Sequence, residues 1–230
     1  MRKSLAINSR CQRVLVIASL ILAGEAIFTL PYHVTRFFRP TFLEVFDLSA
    51  TELGVAQSAY GFVAMVAYFF GGPLADRFEP RKPLAGSLWA TAPGGLYLAT
   101  FPSVAGVTLV WGFFGLTNIL FFYAALIKAT RSWGGDTQQG LAYGLLDGGR
   151  GLLAAVLASV GVFAFSTAFP LTYDAATLPQ KAEVLRQVIY GYTAVTAAVG
   201  FVVWFTLRGL DGEQTGEQSA PISHFFRQIK

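Results

Sequence analysis

Gly71-Gly72-Pro73-Leu74-Ala75-Asp76-Arg77-Phe78-Glu79-Pro80-Arg81-Lys82 is a short charged turn between two long apolar runs. Residues 53 to 75 carry no charge, and after Lys82 none appears until Lys128, yet five ionisable groups fall within the seven residues 76 to 82. Apolar runs of roughly 18 or more residues are long enough to cross a hydrocarbon layer about 30 Å thick, so this turn reads as a loop at a membrane surface. The whole 230-residue chain agrees. It is 54% hydrophobic and only 13% charged, against about a quarter charged in soluble domains, and its mean hydropathy is +0.53. The composition predicts an all-α membrane protein.

The spacing Gly72-x-x-x-Asp76-Arg77-x-x-x-Arg81-Lys82 resembles the signature loop between the second and third helices of major facilitator superfamily transporters. The glycine usual two positions after the Asp-Arg pair is Glu79 here. The positive-inside rule alone would also give a short basic cytoplasmic loop, but not these offsets. The resemblance implies that Gly72, Asp76, Arg77, Arg81 and Lys82 form a conformational gate, in which the acid caps a neighbouring helix and the basic groups hold the cytoplasmic side closed in one state. It also implies a fold: six transmembrane helices forming one half of a twelve-helix bundle.

The apolar runs supply the six spans. The first is expected from about Val14 to Pro31 or a little beyond, a stretch too long for a secretory signal and without a small-x-small cleavage site. Ser49 and Glu52 form a capping box that starts the second, Leu53 to Leu74, where Gly54, Ser58 and Gly61 suit close helix contact. Residues 83 to 127 hold 45 uncharged positions and divide at Phe101-Pro102-Ser103 into two spans. Pro93-Gly94-Gly95 predicts a kink or irregular backbone in the first of these, and the second runs from Val107 to Ile127. The fifth begins near Gln138 and extends to Pro170, with Gly140, Gly144 and Gly148 on one face for backbone-to-backbone approach. An outer loop with Asp174, Lys181, Glu183 and Arg186 leads to the sixth, Val188 to Leu207. Residues 1–209 are thus expected to be the transmembrane half and 210–230 a cytoplasmic linker or tail. By this topology twelve Lys and Arg lie inside, four outside and one, Arg150, in the membrane, which places both termini in the cytoplasm of a cell whose cytoplasmic (inner) membrane holds the protein.

Ionisable groups inside apolar runs are costly, about 2.5–3.5 kcal/mol on insertion scales, and so are functional candidates. Glu25 is either a proton-coupling group or a passive lining of a hydrated cavity. Asp147 and Arg150, three apart, pair on one helix face, as a working charge pair or as a lock between helices. Tyr32 and Arg36 lie in a basic aromatic stretch that serves as an interfacial anchor or draws in an anion. They resemble the tyrosine and arginine with which the organophosphate branch of the superfamily binds phosphate, which makes them candidate substrate contacts. Asn118 is interhelical glue or a substrate ligand.

Cys11 is the only cysteine, and His33 and His224 are too isolated to build a zinc site, so neither metal nor cofactor is expected. No phosphate-cradling loop or nucleophile with an adjacent base points to an enzyme. The net charge of +4 is spread over loops, which argues against nucleic acid. The expected activity is secondary transport of a small polar or anionic solute by alternating access, coupled to protons. Its partners are lipid, the solute and a second six-helix half on the same or another chain. The alternative is a non-transporting assembly partner or an inactive truncated transporter.

Overall fold

The computed structural model describes residues 10–168 and 176–210, and the helices there are α1 (Arg10–Phe37), α2 (Arg39–Val45), α3 (Ala50–Ala75), α4 (Arg81–Leu98), α5 (Val104–Gly134), α6 (Gln139–Thr167) and α7 (Leu178–Thr206). Five of them, α1, α3, α5, α6 and α7, are long and apolar enough to cross a membrane. The remaining long helix, α4, has 18 residues, and its sequence includes Arg81, Lys82 and a Pro-Gly-Gly run, which lower its apolarity. Six spans were expected; length and composition establish five.

The helix ends follow local chemistry. Ser49 Oγ accepts the Glu52 N–H at 3.2 Å while the Ser49 N–H donates to Glu52 Oε2 at 2.8 Å, the reciprocal box expected there. The same device at Thr177 and Gln180 starts α7 ten residues earlier than Val188, so Lys181, Glu183 and Arg186 lie on its first turns. Lys181 reaches Glu44 on α2 at 2.9 Å, and Arg186 donates to the Ala99 carbonyl just beyond α4. Asp174 and residues 211–230 of the expected linker lie outside the described residues. Gly135, at φ +55°, stands in the left-handed region at the turn from α5 to α6, where a side chain would be strained.

α3 packs chiefly on α5, α4 on α7, and α1 lies among α5, α6 and α7. Two buried clusters result, one around Leu20, Phe122, Leu126 and Val203 and one around Phe42, Trp111, Phe114 and Leu98. The close crossings differ from those expected. A Cβ on Gly54, Gly61, Gly140, Gly144 or Gly148 would meet nothing within 4 Å, so neither small-residue stripe is covered by another helix among the described residues. Close approach occurs instead at Gly115, where a Cβ would sit 2.6 Å from the Tyr60 carbonyl oxygen, and at Gly149, where it would sit 2.5 Å from Ile21 Cδ1. A small-residue spacing permits close contact; only a neighbour creates it.

Irregular backbone also falls elsewhere than expected. α4 stays helical through Pro93, with Gly94 and Gly95 tight against Phe114, Leu30 and Thr193. The wide, i to i+5 turns are at Thr29–His33 in α1 and Thr117–Tyr123 in α5. Pro31 therefore does not end α1, which continues to Phe37. Pro31 has no N–H to give the carbonyl four residues back, that of Ile27. Asn118, in the wide turn of α5, donates its Nδ2 to this same carbonyl at 3.2 Å.

Candidate functional site

Glu25 lies near the middle of α1, and only 7% of it is exposed. Its Oε1 is 2.8 Å from Nε2 of His33, itself 5% exposed. Eight residues of regular α-helix would leave the two about 80° apart around the axis; the wide turn at Thr29–His33 takes out much of that offset and brings them together. One proton lies between them: either Nε2–H donates to a carboxylate or a protonated Oε1 donates to Nε2. The other ring nitrogen, Nδ1, is buried without a hydrogen bond. The ring edges of Phe37 and of Tyr192 on α7 enclose the imidazole at 5.2 and 5.9 Å between centroids.

α6 contributes the cation. Arg150 Nε is 3.7 Å from Glu25 Oε2, and Arg150 Nη1 is 3.6 Å from Asp147 Oδ1. Both separations exceed a good hydrogen bond, and Nε is buried without one. The arginine thus stands between a buried carboxylate and an exposed one, since the Asp147 side chain is 73% accessible. Gly24 makes the approach possible, because a Cβ there would lie 2.9 Å from Arg150 Cδ. The guanidinium also sits 5.4 Å from the Phe28 ring centroid. Glu25 and the Asp147–Arg150 pair, singled out separately in the sequence, form one network, and His33 is a member that the sequence reading missed. Its only local signal was Pro31 two residues before it, which removes one helical N–H and makes a wide turn possible there without requiring one.

Tyr32 and Arg36 share an open recess of about 310 Å³ with Thr35, Arg39 and Gln57, and Gln57 Nε2 lies 3.4 Å from Thr35 Oγ1. Asn118 is apart from them and fully buried. Besides donating to Ile27, its Oδ1 accepts from Thr91 and Thr117 at 3.3 and 3.2 Å. Tyr60 links the two regions, packing edge-on against Tyr32 at 5.2 Å.

In the charged loop, Asp76 and Arg77 are exposed past the end of α3. The carbonyls of that end are held by Lys128 of α5, whose Nζ donates to Ala75 O at 3.1 Å and to Asp76 O and Phe78 O at 3.4 Å. Gly72 faces open space. Lys82 and Arg81 both approach Glu79, at 3.0 and 3.4 Å, and the Lys82 hydrogen bond, with Arg81 behind it, holds the Glu79 carboxyl below the usual carboxylate range. Arg81 also lies 5.1 Å from the Trp204 ring centroid. Among the described residues there is no cluster of metal-ligating side chains.

Long apolar helices joined by short charged turns, with an ionisable network inside two of them, define a multi-pass helical membrane protein. The sequence profile of the Major Facilitator Superfamily matches residues 14–229, and the chain belongs to that family of transporters. It is similar to the Escherichia coli inner membrane proteins YihN, 31% identical over 82% of this chain and 42% of the relative, and YqcE, 27% identical over 84% and 43%. A Mycoplasma pneumoniae protein, the uncharacterized MG294 homolog, is 24% identical over 89% of this chain and 46% of its own length. The chain spans less than half the length of these curated relatives. No solved structure matches it.

Proposed function

We propose that the chain is the N-terminal six-helix half of a secondary active transporter that moves a small polar or anionic solute by alternating access, with protons as the coupling ion. The observation that carries this reading is the buried Glu25–His33 pair faced by Arg150 inside the apolar helices of a major facilitator protein. Charges are retained at such depth only at a cost that a transport or coupling role explains. In rocking-bundle transporters the site lies at the midplane between two halves. A second half, on the same or another chain, completes it by covering the apolar faces of α3 and α6, where Phe62, Phe69, Leu152 and Phe163 are exposed.

In this reading α4 is the third of six spans, both termini are cytoplasmic in an inner membrane, and residues 210–230 form the linker. The loop residues Gly72, Asp76, Arg77, Arg81 and Lys82 gate the cytoplasmic side. Tyr32 and Arg36 contact the solute from the recess, whose two arginines favour an anion. Asn118 serves as glue, all its polar atoms being engaged by protein.

The test is reconstitution. The full chain is placed in lipid nanodiscs to weigh the assembly, then in vesicles with an entrapped pH dye, and challenged with a panel of small anions and sugars. The expected result is an assembly larger than one copy that moves protons in step with at least one solute, with the movement lost in Glu25→Gln. An assembled protein that moves no proton with any solute of the panel overturns the reading.

A further inference from the structure

Resting on the proton-coupled reading of the same site, we propose that His33 is the group on which the coupling proton arrives, and that its arrival transfers Arg150 from Glu25 to Asp147. Glu25 Oε1 is already engaged by His33 Nε2 at 2.8 Å. With Nε2–H donating to Glu25, the ring nitrogen left with a free lone pair is Nδ1, buried and without a partner, while Glu25 Oε2 faces Arg150. A proton delivered by hydronium adds to Nδ1: its O–H bond breaks and leaves water, an Nδ1–H bond forms, and the ring becomes an imidazolium with Nε2–H kept. Glu25 then has a cation at 2.8 Å in place of a neutral ring, closer than Arg150 at 3.7 Å. Since charge–charge attraction falls with distance, the imidazolium takes over the neutralisation of Glu25. Arg150 is left to Asp147, already 3.6 Å away on its own helix.

The ionisable groups facing the pair are few. On α6 they are Arg150 and, behind it, Asp147; on α7 it is Tyr192, which presents its ring. Among the described residues no other ionisable group makes an ion pair or ring contact with Glu25 or His33. The exchange has a mechanical consequence because α6 buries only Ala142 and Leu146. Its seam with α1 includes Arg150 lying over Gly24 and Ile21 lying over Gly149, beside the packing of Ala142 and Leu146. Moving Arg150 off Glu25 removes the ionic part of that seam.

The experiment is nitrogen-detected NMR of the full chain in nanodiscs, labelled at histidine and arginine. It is run in a His224→Gln background, so that His33 is the single histidine, and at about pH 8 and about pH 5, the range in which imidazoles change charge. Arg150→Lys assigns the Arg150 Nε signal by its loss. The expected result is one protonated ring nitrogen at the higher pH, Nε2, two at the lower, and an Arg150 Nε signal that moves in the same titration. Glutamine at 33 keeps a donor for Glu25, so His33→Gln is expected to fold and to lose the pH dependence of Arg150. A His33 that keeps one protonated nitrogen at both pH values, or an Arg150 signal that follows pH equally in His33→Gln, overturns the proposal. If that variant does not fold, the parent alone decides, since protonation of Nδ1 without any response at Arg150 overturns it too. None of these readouts needs a solute. A failed transport assay with an intact co-titration therefore counts against the transport reading and not against the switch.

Discussion

Asn118→Leu separates the two roles that polar residues play in this bundle. The side chain is completely buried, and its Nδ2 supplies the donor that Pro31 denies to the Ile27 carbonyl. Leucine has a similar volume but no donor. The hydroxyls on its other side are less affected, because Thr91 already donates to Thr117 at 2.8 Å and Thr117 is 3.4 Å from the Phe114 carbonyl. The loss falls mainly on one backbone acceptor, with a smaller share at the Tyr60 hydroxyl, which also interacts with the Asn118 side chain. An interhelical hydrogen bond in a membrane protein contributes about 0.6 kcal/mol on average and up to about 1.7, while a buried acceptor left without a donor costs about 1–3 kcal/mol. We expect the overlap of the two ranges, about 1.5 kcal/mol of destabilisation. Pro31→Ala restores an N–H four residues after Ile27, so in that background the same substitution should cost less than about 0.5 kcal/mol, a coupling of about 1 kcal/mol between contacting sites. The assay is reversible unfolding of the four chains, parent, two singles and double, in mixed micelles followed by circular dichroism. An Asn118→Leu cost that is the same with and without Pro31 would refute the assignment of Ile27 as the group that Asn118 satisfies.

Three other substitutions test different parts of the structure. Gly115→Ala drives a methyl against the Tyr60 backbone oxygen and should cost about 1–3 kcal/mol in the same unfolding assay, whereas Gly148→Ala, which meets nothing within 4 Å, should leave the stability of this chain unchanged. Lys128→Met removes the ammonium from the last carbonyls of α3 and should cost about 0.3–1 kcal/mol, read as a lower melting temperature and faster amide exchange at residues 74–78. Because the Glu79 carboxyl is held below its ordinary range by Lys82, its stabilisation is complete above the unfolded value of about 4.3 and is lost as the pH falls through the lowered one. Glu79→Gln should therefore lower stability at neutral and alkaline pH, converge with the parent at acid pH where Glu79 is protonated, and so flatten the acid limb of the profile.

How much of this was legible in the sequence depends on the range of each interaction. Helix spans follow from runs of apolar residues, and the Ser49 box from four adjacent positions, so both could be read locally. The cost of charge in hydrocarbon likewise marked Glu25, Asp147 and Arg150 without any knowledge of packing. The Glu25–His33 contact was hidden, because eight residues of regular helix point the two side chains apart and only the wide turn at Pro31 aligns them. Reading the stretch after Pro31 as the outer end of the first span also set His33 at the membrane surface and left it looking isolated. The glycine stripes erred in the opposite sense. Gly140, Gly144 and Gly148 have the right period, but among the described residues no helix lies over them, and the real contact is made one position on, at Gly149.

The exchange test suggested by Asp147 and Arg150 alone changes once Glu25 is included. If those two were an isolated pair, swapping them would restore the attraction. Here Arg150 also lies 3.7 Å from Glu25, so Arg150→Asp sets a carboxylate opposite a buried carboxylate, and a cation at position 147 meets an exposed surface instead. The double exchange should thus be no more active or stable than Arg150→Asp alone, while Asp147→Asn should be the mildest of the set. The same reasoning ties backbone to charge. Returning Thr29–His33 to a regular α-helix would swing His33 away from Glu25 by much of the roughly 80° that eight α-helical residues impose, so the Glu25–His33 hydrogen bond and the wide turn stabilise one another. By linkage, whatever changes the proton on the pair changes the preference of α1 for its wide turn, and with it the position of the Ile27 carbonyl that Asn118 holds from α5. A proton at His33 is in this way connected through one helix to the packing of two others.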